Sequence, residues 1–71
     1  MEENRKMILK TNSNPNFILS MKLDIDWNLQ CITILVILDN IKSNKRQMKT
    51  FKGNEFSDAI NQFDQWEQFI F

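Results

Sequence analysis

The 71 residues carry nine basic and nine acidic side chains, which makes one small domain with no net charge. A lone cysteine and the lack of histidine exclude an intrachain disulfide and a Cys/His zinc cage; the lack of tyrosine as well removes most of the usual general bases and nucleophilic dyads. A single glycine, Gly53, excludes a glycine-rich phosphate loop, so no cofactor is expected.

The first six residues, Met1 to Lys6, lack the basic start and apolar core of a secretory leader. The longest apolar run, Ile32 to Leu38, is broken by Thr33 and is far shorter than the ~20 residues of a membrane span. The expectation is a soluble, cytoplasmic chain without membrane contact. Residues 6–11 read as a short edge strand. Asn12-Ser13-Asn14-Pro15-Asn16 is a turn cluster in which Pro15 bars a ladder bond.

The clearest signal begins at Phe17. Phe17, Leu19, Met21, Leu23, Ile25 and Trp27 alternate with Ile18, Ser20, Lys22, Asp24 and Asp26. A period of two with one polar side predicts a half-buried strand over 17–27. The β-branched run after it predicts a second strand over 30–39. A loop centred on Asn28-Leu29 pairs residues whose numbers sum to 57, setting Leu19 against Leu38, Met21 against Val36 and Leu23 against Ile34. One face is then wholly apolar, whereas a slip of one residue would mix the two sets. The other face carries Ile18, Cys31, Leu35 and Ile37, apolar enough to expect cover from the first strand or from a second subunit. Cys31 itself is expected to pack.

Residues 40–45 form a polar loop, and 46–52 read as a basic edge strand. Lysines at an edge also deter strand addition by a neighbour. After Gly53 the period changes. Phe56, Ala59, Ile60, Phe63, Trp66 and Ile70 form an apolar stripe at ~100° per residue, predicting a helix over 54–70. Asn54 or Ser57 can cap it. The strand over 17–27 outruns this helix, so the hairpin should curl or leave one end to a partner. The expected architecture is a two-layer α+β domain over 1–71: an antiparallel meander of three or four strands with one C-terminal amphipathic helix on one face.

Glu67 breaks the stripe. It either reaches a strand lysine or frays with the last turn, or is an acid held in an apolar setting for chemistry. The tail ends Phe69-Ile70-Phe71, and folds back towards Trp27 or Leu29 or meets another protein. Charge is divided along the chain: Lys42, Lys45, Arg46, Lys49 and Lys52 precede Gly53, whereas Glu55, Asp58, Asp64 and Glu67 follow it.

No acid, base and nucleophile can be assembled from these residues, so an enzyme is not expected. The favoured function is a non-catalytic protein-binding module, an adaptor or an inhibitor of a larger enzyme, with a homodimer as reinforcement. Its contact residues would be Asp58, Asp64, Gln65, Phe69 and Phe71, an acidic and apolar surface suited to a basic groove. Nine Asn, nine Ile and seven Lys against one Ala and one Val reflect AT-rich codons. Size, codon bias and acidic helix together suit a phage-type inhibitor of a nucleic-acid-processing or defence enzyme, of the anti-CRISPR kind. The alternative is a small nucleic-acid-binding regulator using Lys45, Arg46, Lys49 and Lys52.

Overall fold

The computed structural model describes residues 4–71. Four strands follow one another as β1 (Asn4–Ser13), β2 (Phe17–Asp26), β3 (Cys31–Asn40) and β4 (Lys45–Lys52). They form an antiparallel meander in that spatial order. A single 3-10 turn, Gly53–Glu55, then leads into α1 (Phe56–Ile70), which crosses back over one face.

The β2–β3 register is the one the apolar alternation demands: Leu19 opposes Leu38, Met21 opposes Val36 and Leu23 opposes Ile34. With α1 these strands bury Leu19, Met21, Ile34, Val36, Leu38, Ala59 and Phe63; Phe17, Leu23, Phe51, Ile60, Trp66 and Ile70 pack around them. Phe63, Leu19 and Val36 lose all contact with water. Burying each such side chain contributes about 1.5–3 kcal/mol.

Both later hairpins use the same turn chemistry. Asp26 Oδ1 accepts hydrogen bonds from the backbone N–H groups of Asn28 and Leu29, and Asn40 Oδ1 accepts one from Ser43. Each four-residue loop then closes through a left-handed residue, Gln30 (φ 52) or Asn44 (φ 55). Asn adopts that conformation readily, while Gln does so only under the demand of the hairpin.

Three expectations need correction. β1 is longer than 6–11, because a bulge at Leu9 lets the strand continue past an interrupted pattern. Ile8 opposes Lys22 and Lys10 opposes Met21, leaving Leu9 without a partner of its own. β1 also lies beside β2 at the sheet edge rather than over the second face. Neither Asn54 nor Ser57 caps the helix; instead Glu55 Oε1 accepts the Lys52 N–H at 2.8 Å across the 3-10 turn. Gly53 sits where a Cβ would approach the Ile32 Cβ to 3.2 Å, so the chain passes close to β3 as it leaves the sheet.

Candidate functional site

The helix is attached asymmetrically. It packs on β2, β3 and β4, and its polar ties to β1 and the loop that follows lie in its C-terminal half. Asn12 Nδ2 donates to Glu67 Oε2 at 2.9 Å, and Asn14 Nδ2 donates to the Ile70 carbonyl at 3.1 Å. Lys10 Nζ lies 3.7 Å from Asp64 Oδ1 and 4.8 Å from the Phe63 ring centre. Asn14 is itself fixed, since its Oδ1 accepts the N–H groups of Asn16 and Phe17 at 2.8 Å each. Glu67 is thus a tie between helix and strand. Its partner is an asparagine rather than a lysine, and the last turn closes through the Phe71 N–H to the Glu67 carbonyl.

The N-terminal half of α1 has no such tie to β1 among the described residues. There the helix and the first two strands flank an open groove of about 480 Å³, lined by Leu9, Lys10, Met21, Leu23, Phe56, Ile60 and Phe63. Alternation from Met7 puts Leu9 on the helix side, and the bulge brings Lys10 to the same side after it. By register Arg5 and Met7 share that side of β1, opposite Ile25 and Leu23. The lining is therefore apolar apart from Lys10, and Arg5 follows on the same side of β1. Phe56, the first residue of α1, remains 45% exposed. Beyond the groove the sheet outruns the helix as expected, and Trp27, Leu29 and Ile32 stay exposed there.

The residues expected to meet a partner are not all brought together. At ~100° per residue Asp58, Gln65 and Phe69 form one strip on the outer side of α1, and Phe69 is 87% exposed. Asp64 is turned towards β1 by Lys10. Phe71 follows the helix end, half exposed, beside the loop that holds Asn14. That loop is at the opposite end of β2 from Trp27 and Leu29, so the tail does not fold back onto them.

The basic set divides between the two faces. Lys45 and Lys49, opposite Asn40 and Val36, lie on the helix side of β4, while Arg46 and Lys52, opposite Asp39 and Thr33, lie on the other. Arg46 is engaged: Nε and Nη2 donate to the two oxygens of Asp39 at 2.6 and 3.2 Å, which raises the guanidinium pKa above its ordinary value. Lys45, Lys49 and Lys52 point into solvent. Cys31 is exposed at the start of β3 rather than packed.

Among the described residues no cluster of three His, Cys, Asp or Glu side chains is placed to hold a metal ion. No described helix is long and apolar enough to cross a membrane. Sequence reasoning missed the groove, because Leu9 sits in a run, Met7-Ile8-Leu9, whose faces cannot be assigned until the bulge is known. In comparisons with known proteins, no family model, no curated protein and no solved structure matches this chain.

Proposed function

We propose that this chain is a non-catalytic protein-binding module that acts as an adaptor or an inhibitor by seating an amphipathic helix of its partner in the groove between β1 and the N-terminal half of α1. The observation that carries this reading is the groove itself: about 480 Å³ open along one side, in which Leu9 and Phe56 stay 39% and 45% exposed and Leu23 and Ile60 half-buried. A helix laid beside α1 would bury Leu9, Leu23, Phe56 and Ile60 on its apolar face. Charge complementarity defines its flank. Arg5, on the same side of β1, favours a partner segment with acidic residues bordering the apolar stripe, whereas Lys10 already faces Asp64.

The outer strip of α1 offers a second contact of opposite sign. Asp58, Gln65 and Phe69 suit a positively charged groove, such as an enzyme that handles nucleic acid presents, which supports the inhibitor form of the reading. Direct nucleic-acid binding through β4 draws support from the exposed Lys45, Lys49 and Lys52. It is weakened by their division between two faces and by the engagement of Arg46 with Asp39.

Affinity capture from lysate with the tagged chain, with and without nuclease, tests the reading. A stoichiometric protein that survives nuclease, and is lost with Leu9→Asp and Phe56→Asp, is the expected result. Capture that nuclease abolishes, or that both groove variants retain, contradicts it. Asp58→Lys with Gln65→Lys tests the outer strip without disturbing the Asp64–Lys10 contact.

A further inference from the structure

The outer edge of β4 combines an open backbone with charge of one sign. β4 pairs with β3 without interruption from Lys45 to Lys52, whereas the other edge strand, β1, is broken by its bulge. The Lys52 N–H donates to Glu55 Oε1 and so is turned away from β3. In an antiparallel ladder successive residues aim their N–H and C=O groups to opposite sides. Counting back from Lys52, the backbone groups of Thr50, Met48 and Arg46 therefore face outward, where no strand receives them. Every residue from Lys45 to Thr50 is exposed.

Residues 41–52 hold five cations and no acid. Arg46 is matched by Asp39, and Glu55 stands beside Lys52. Lys45 and Lys49 make no ion pair among the described residues, and they share one side of the strand four positions apart. Tracking a phosphate backbone asks for a continuous basic groove with stacking aromatics, which this edge lacks. Two unmatched cations beside free main-chain groups suit an added strand instead.

We infer that the β4 edge takes up an acidic, extended segment of a partner protein as a fifth, antiparallel strand. Main-chain hydrogen bonds to Arg46, Met48 and Thr50 supply the affinity, and carboxylates facing Lys45 and Lys49 supply the choice of segment. Antiparallel pairing fixes the recognition pattern as two acids four residues apart, on the side of the segment that continues the helix face. A second copy does not qualify. Its β4 edge would set lysines against lysines, and its β1 edge would bring Arg5, Lys6 and Lys10. The groove lies by β1, at the other edge of the sheet, so the two contacts are independent.

NMR titration of the full chain with two capped peptides of about ten residues gives the test. Both are Thr-rich; one carries glutamates four positions apart, and the other carries lysines there. The Glu peptide should bind with a dissociation constant of about 0.1–1 mM and the Lys peptide at least about tenfold more weakly. At saturation the amides of Met48 and Thr50 should exchange about threefold or more slowly, while those of Gln47 and Lys49, already turned to β3, stay unchanged. Lys45→Glu with Lys49→Glu should reverse the preference, and Leu9→Asp should leave it intact. If that double variant does not fold, Lys45→Gln with Lys49→Gln should abolish the difference between the peptides. Unprotected Met48 and Thr50 amides at saturating peptide overturn the inference, as do shifts confined to the groove or a charge-reversed chain that still prefers the Glu peptide. Protection of the same amides by oligothymidylate but not by the Glu peptide assigns the edge to nucleic acid and overturns it too.

Discussion

The two halves of α1 face the same sheet but are held by different physics. In the C-terminal half, Phe63 is fully buried, Trp66 and Ile70 pack beside it, and Glu67, Asp64 and the Ile70 carbonyl are tied to Asn12, Lys10 and Asn14. In the N-terminal half the packing is one-sided. Ala59 is buried against the sheet, but Phe56 and Ile60 border a groove whose far wall, Leu9, stays 39% exposed. Polar ties at one end fix the course of the helix, and at the other Leu9 stands across the groove from Phe56 and Ile60. A small domain can thus keep a unique core and still expose an apolar cleft, provided that the two tasks fall to different turns of one helix.

The helix depends most heavily on Phe63. Phe63→Ala should cost about 3–5 kcal/mol, a large share of the stability of a domain this size, and leave the chain largely unfolded in a denaturant titration followed by circular dichroism. Asn14→Ala removes two hydrogen bonds that shape the β1–β2 loop and a third that holds the helix end. It should cost about 1–3 kcal/mol in the same titration. The Asn12–Glu67 contact is narrower. A double-mutant cycle with Asn12→Ala and Glu67→Ala should return a coupling of about 0.5–1.5 kcal/mol, and a value near zero would reduce that contact to coincidence.

Changes in the groove should behave differently. Leu9→Asp and Phe56→Asp act on exposed positions and should shift stability by less than about 1 kcal/mol while abolishing partner capture. Smallest of all, Lys10→Met removes a half-exposed ion pair at 3.7 Å and should change the unfolding free energy by no more than about 0.5 kcal/mol.

Much of the fold is legible in the sequence. The β2–β3 register follows from strict alternation between Phe17 and Asp26, because any slip would put Lys22 or Asp24 into the core. The stripe from Phe56 to Ile70 identifies the helix and its buried face. What escaped the sequence depends on contacts between distant residues or on local irregularity. Glu67 looked misplaced because its partner, Asn12, lies 55 positions away. The division of Lys45 and Lys49 from Arg46 and Lys52 follows from the period of two along β4, whereas which pair shares the helix side depends on the pairing with β3. The groove depends on the bulge at Leu9 and on where the helix leaves contact with β1, and neither leaves a periodic trace.

Residue-resolved amide hydrogen exchange reads out the asymmetric attachment of α1. Helix ends ordinarily fray alike, so the prediction is specific: the amides of Trp66, Glu67 and Gln68 should exchange at least about tenfold more slowly than those of Ile60, Asn61 and Gln62. Equal protection in the two halves, or slower exchange around Ile60, would contradict it and remove the structural basis for the groove.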